Sequence, residues 1–197
     1  MSSPFTGDIS NSEGFQNDLP IYDRSFLVWG GNFTRGMNLH VSGHQIEATH
    51  AYVNRRQDNN DDLFWKSFVG RSADGKFVRN GRAGWTHYPP NGESDYDYFN
   101  TSPIESDIED WNPSGGIKKA VQASTWHGLD YQFPNGEIPN GQTDIIDRDA
   151  RWYLYWMQNM PGRGNTISYN GGRMTNWWAF VGDWDTANKI GLGLYTN

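Results

Sequence analysis

The sequence predicts a single α+β domain, rich in loops, with about four to five helices and short strands between them. Three observations carry that expectation. Helix-start signatures followed by apolar residues at helical spacing occur at several separate points. Short apolar runs closed by glycine, such as "SFLVWGG" at 25–31, read as buried strands. No internal repeat and no linker-like tract divides the 197 residues. An all-β sandwich is the competing architecture. Residues 1–21 are expected to form an irregular N-terminal arm, and residues 22–197 one globular domain.

The first helix is expected where Ser42 acts as N-cap and Gln45 completes a capping box, running through "GHQIEATHAYVNRR". The segment "NNDDLFWKSFVG" predicts a second, with Asn60 as cap and Gly70 as stop. Its Phe64 and Phe68 lie four apart beside Trp65, a core stripe. "DGKFVRNGRAGW" reads as a hairpin or two short strands. In "THYPPNGESDYDYFN" the paired prolines force an extended loop. Ser102, Pro103 and Glu105 of "SPIESDIEDW" form a further helix-start signature. Residues 117–141 suggest one or two strands and a Gly/Pro-rich loop.

"DRDARWYLYWMQNMPG" predicts a helix ending before Pro161. Trp152, Tyr153, Trp156, Met157 and Met160 cover a broad arc of it, with Leu154 and Tyr155 opposite, so this helix is expected to be central. The final "NWWAFVGDWDTANKIGLGLY" reads as a strand or aromatic corner, a short helix capped by Asp185, and a closing strand.

Composition narrows the function. A net charge of −7 without a basic stripe tells against nucleic acid as a partner. Cysteine is absent, which excludes disulfides, thiolate nucleophiles and Cys-bound zinc. No apolar run is long enough for a membrane span. The polar N-terminus has no signal core, so an extracellular location requires a removed leader, and a cytoplasmic one is expected otherwise. Nucleotide-binding and dinucleotide fingerprints and the Gly-x-Ser-x-Gly elbow are missing, and no nucleotide cofactor is expected.

Chemistry concentrates in "SGHQIEATH". On a helical wheel His44 and Glu47 share a face lined by Ala48 and Ala51, an imidazole and a carboxylate suited to a divalent ion. His40 is expected to precede the cap, and His50 to belong to the core or surface. His-x-x-Glu is similar to the half-site of zinc carboxypeptidases, which add a distant histidine; the resemblance covers four residues. His87, in the proline-braced loop, is the candidate third partner. The expected metal set is thus His44, Glu47 and His87, with zinc first and calcium second as the ion. Without a metal, Glu47 is the candidate general acid or base; with one, Asp95, Asp97 or Glu109 is expected to move protons. "IESDIED" resembles the acidic motif of laminarinase-type glycosidases, but that motif needs a strand where Ser102 and Pro103 predict a helix. The activity is therefore not carried over.

Trp85, Trp111, Trp177 and Trp178 sit beside small and polar residues, a setting suited to stacking on sugar rings. The leading expectation is a hydrolase acting on a peptide or glycan polymer through a metal- or carboxylate-assisted site. A non-catalytic carbohydrate-binding domain and a structural or interaction domain of a larger protein are the alternatives.

Overall fold

A computed structural model describes residues 35–58, 63–71, 81–126 and 144–196. Two long helices cross the fold and pack against each other: α1 (Arg35–Asp58) and α2 (Asp144–Gln158). Between them lie a π-helical segment (Leu63–Val69) and the antiparallel strands β1 (Ile104–Ser106) and β2 (Lys119–Val121). After α2 come the meander strands β3 (Ser168–Tyr169) and β4 (Gly172–Met174), then α3 (Ala179–Gly182), α4 (Trp184–Lys189) and β5 (Tyr195–Thr196). The second sheet has the order β3-β4-β5. The fold is α+β, and the described strands form two small antiparallel sheets rather than a sandwich. Among the described residues no helix is long and apolar enough to cross a membrane.

Helix α1 begins upstream of the expected Ser42 cap. Ser42 lies inside the helix, where its Oγ donates to the Asn38 carbonyl one turn back, at 2.9 Å. Ile46, His50 and Val53 turn to the core, as helical spacing predicts. The π-helical segment buries Leu63, Phe64, Phe68 and Val69, which is the predicted core stripe in a wider helical form. Helix α2 buries Trp152, Tyr153, Tyr155, Trp156 and Met157 and so occupies the central position expected of it.

An aromatic cluster joins these elements. Phe68, Trp111 and Trp177 lie with ring centroids 5.1–5.6 Å apart, and Phe64 adds to them at 5.9 Å from Phe68. Edge-on and tilted pairs at such distances each contribute about 0.5–1.5 kcal/mol beyond area burial. Buried His50 completes the cluster and donates Nε2–H to the Trp177 carbonyl at 3.0 Å.

Further local expectations are corrected. The helix anticipated at Ser102–Trp111 is strand β1 followed by a single 3-10 turn (Ile108–Asp110). Pairing with β2, at Ile104↔Val121 and Ser106↔Lys119, outweighs the local start signature. Before α4 the cap is Asp183, whose carboxylate accepts from Thr186 N–H at 3.2 Å, and not Asp185. The aromatic corner at Trp177–Trp178 leads into α3 rather than a strand. The arm 1–21, the run 25–31, Asn60, residues 72–80 and the Gly/Pro-rich stretch 127–141 lie outside the described residues.

Candidate metal centre

The loop after the π-helical segment is fixed through its main chain. Gly84 adopts φ +71°, and a Cβ there would meet the Tyr88 carbonyl oxygen closer than side chains permit. Trp85 and Tyr88 then exchange hydrogen bonds at 2.8 and 3.0 Å, making a tight turn with Thr86 and His87 at its tip. Three consecutive carbonyls of this loop receive aromatic donors. Trp156 Nε1–H donates to Gly84 O (3.0 Å), Trp152 Nε1–H to Trp85 O (3.3 Å), and Tyr98 O–H to Thr86 O (2.9 Å). Helix α2 thereby holds the turn, and the turn presents His87.

Helix α1 presents two more histidines. His40 and His44 are one turn apart on the same face, and both meet His87. His44 Nε2 stands 2.9 Å from His40 Nε2 and 3.0 Å from His87 Nε2. Gly43 permits the approach of loop to helix, since a Cβ there would lie 2.6 Å from Thr86 Oγ1. These three half-buried side chains could hold a metal ion. The His40–His44 and His44–His87 separations each let two nitrogens share an ion at about 2.0–2.1 Å, the ordinary zinc–imidazole distance.

Hydrogen bonds on the far side of the rings decide which nitrogens carry protons. Glu47 is buried; its Oε1 accepts Thr86 N–H and its Oε2 accepts from His44 Nδ1, both at 2.8 Å. A carboxylate with both oxygens accepting requires the proton on His44 Nδ1, so in the neutral ring Nε2 is a bare lone pair. The second path begins at the Thr86 carbonyl. That carbonyl takes the Tyr98 hydroxyl hydrogen, and Tyr98 oxygen takes the Tyr153 hydrogen at 2.8 Å. The Tyr153 oxygen is left to accept from His40 Nδ1, also at 2.8 Å, which makes His40 Nε2 a second bare lone pair. Both paths end on the main chain of one residue, Thr86. His87 Nδ1 faces Asp95 Oδ1 at the longer distance of 3.5 Å.

Two lone pairs 2.9 Å apart repel unless a cation lies between them. A proton on His40 or His87 fills that role poorly at neutral pH. Burial, and then the charges of His44 and His87, lower the His40 pKa to about 4. Burial and His44 likewise lower His87, against the opposing pull of Glu47 and Asp95. Rings held neutral in this way are in the form a metal requires.

Tyr96 covers the exposed side. Its hydroxyl lies 3.2 Å from His87 Nε2 and its ring is stacked against His40, with centroids 5.9 Å apart. Its phenol pKa is raised by burial and by the adjacent Asp95 carboxylate.

Of the metal set expected from sequence, His44 and His87 converge, while Glu47 stands behind His44 with both oxygens engaged. His40 takes the third place in the cluster that the sequence assigns to Glu47, and it lies inside α1, upstream of the expected Ser42 cap. The His40–His44 spacing of four was the signal that could have found it. Tyr98 and Tyr153 carry no local signal, because their partners are remote in sequence.

Of the other candidate carboxylates, Asp95 faces His87 while Asp97 and Glu109 are committed elsewhere. Asp97 accepts from Glu93 N–H and the Asn100 amide. Glu109 bonds Lys119 at 2.6 Å and Tyr155 at 3.0 Å. In the acidic run, Glu105 is exposed on β1 and buried Asp107 forms an ion pair with Arg82. Of the tryptophans, Trp111 and Trp177 are core residues with 4% and 0% exposure, so neither offers a face to a sugar. Trp85 and Trp178 are half-buried, and the Arg71 guanidinium lies 4.8 Å from the Trp85 ring.

No family model, curated protein or solved structure matches the chain. Function has to be read from the chemistry of this site.

Proposed function

We propose that the protein is a metal-dependent hydrolase whose ion, zinc, is held by Nε2 of His40, His44 and His87, and whose substrate is a peptide or glycan polymer. One observation carries the reading: three imidazole nitrogens lie within 4.8 Å of one another while the opposite nitrogens of His40 and His44 bond Tyr153 and Glu47 and that of His87 faces Asp95. A donor set of three imidazoles suits zinc and is poor for calcium, which takes oxygen ligands. Held by these three imidazoles, zinc would supply a water of lowered pKa as a nucleophile near neutral pH. Glu47 then acts as a positioning residue that fixes His44, not as the general base.

Titration calorimetry with zinc, together with elemental analysis before and after chelation, tests the metal. One zinc per chain is expected, with binding lost in His40→Ala and in His87→Ala. A protein that takes up no zinc and whose melting is unchanged by it overturns the proposal. Zinc-dependent cleavage of chromogenic peptide and glycan substrates tests the hydrolase part, and activity that persists after complete chelation refutes it.

A further inference from the structure

We propose that the phenol oxygen of Tyr96 is a fourth, displaceable ligand of the ion at His40, His44 and His87. The inference rests on the metal reading above and adds a residue to it. Tyr96 has φ +64°, a left-handed conformation uncommon for a bulky side chain, and strain of this kind persists where surrounding structure enforces it. Two main-chain hydrogen bonds do so: Tyr96 N–H to His87 O and Tyr98 N–H to Tyr96 O, both at 2.9 Å. The first ties the backbone of Tyr96 directly to that of His87.

What the strained backbone achieves is the placement of the ring. Tyr96 is 51% exposed, so burial does not explain its position. Yet the ring centroid lies 4.5 Å from that of His87, and the hydroxyl is 3.2 Å from His87 Nε2. That nitrogen is the one His87 turns to the other histidines, not the outward nitrogen facing Asp95. The oxygen therefore stands on the ligand side of the cluster, where an ion drawn to three nitrogens would meet it. On coordination the phenol proton passes to solvent. Because the ring is exposed on its outer side, an incoming water or substrate oxygen can displace it without disturbing the core.

Copper(II) is the probe, because a bound phenolate gives it a visible charge-transfer band that histidine does not. Wild type, Tyr96→Phe and His40→Ala are each titrated with copper, followed by absorption and calorimetry, and zinc affinity is measured in parallel. The expected result is one copper per chain in wild type with the band present. Tyr96→Phe should keep the stoichiometry, lose the band and bind zinc roughly 10-fold more weakly. If wild type binds metal through His40 but shows no band and the Tyr96→Phe affinity is unchanged, the fourth-ligand proposal is overturned and the three-histidine site stands. If wild type binds neither metal, both fall. The exposed position of Tyr96 makes a folding defect in Tyr96→Phe unexpected, and near-UV circular dichroism of the tryptophan core checks it.

Discussion

Replacing Glu47 with glutamine tests how the first helix presents its ligand. The carboxylate accepts two N–H groups at 2.8 Å, from His44 Nδ1 and from Thr86. Glutamine has one acceptor oxygen and one NH2 donor, so it can satisfy only one of them. If its oxygen stays on Thr86 N–H, the NH2 faces His44 Nδ1 and drives the imidazole to the other tautomer. His44 then carries a proton on Nε2, the nitrogen proposed to bind the ion. Removing such an outer partner typically weakens metal binding by about 10–100-fold, which is roughly 1.4–2.7 kcal/mol. The assay is zinc calorimetry on folded Glu47→Gln, with nitrogen chemical shifts of His44 reporting the tautomer. A zinc affinity within twofold of wild type, with the Nδ1–H tautomer retained, would falsify this account of Glu47.

Two further outcomes follow from packing and burial. Gly43→Ala should place a methyl 2.6 Å from Thr86 Oγ1 and 3.1 Å from its Cγ2, lowering stability by about 1–3 kcal/mol and weakening zinc binding together. Adding Thr86→Ala should restore much of both, and calorimetry in which the double variant is no better than the single one counts against the close-approach explanation. Buried His50 has its pKa lowered from 6.5 to about 4, chiefly by burial. The unfolded chain therefore takes up a proton as pH falls below about 6.5 while the folded chain does not, so stability is complete above that value and is lost towards pH 4. The loss attributable to His50 is on the order of 3 kcal/mol. His50→Gln, which keeps a donor for the Trp177 carbonyl, should remove that part of the slope in urea unfolding across pH 4–7. A wild-type-minus-variant difference that is flat with pH contradicts it.

Much of the architecture was legible because it is local. The stripe of Phe64 and Phe68 and the broad apolar arc of α2 follow from spacing, and both are buried. His44 and Glu47 share a helix face because three residues nearly complete a turn, and the Pro89-Pro90 brace marked His87. Three features misled or were silent. The Ser42–Gln45 signature resembles a helix start, but Ser42 finds its partner in the preceding turn, and the error cost His40. The Ser102-Pro103 signature gave way to the pairing of β1 with β2, a contact between segments that local propensity does not encode. Tyr153 meets His40 across 113 residues, and nothing near either residue announces the other.

The loop that carries His87 is held by atoms that almost every residue type possesses. The carbonyls of Gly84, Trp85 and Thr86 and the N–H of Thr86 are received by Trp156, Trp152, Tyr98 and Glu47. The Thr86 hydroxyl is buried and makes no hydrogen bond among the described residues. Sequence drift should therefore be tolerated at position 86, with proline excluded because it lacks the N–H and side chains larger than threonine excluded by Gly43. It should be far less free at the four partners, which lie on three different parts of the chain. A search for the same centre in another sequence is better keyed to those spaced aromatics, the glutamate and the histidine pair than to the loop itself.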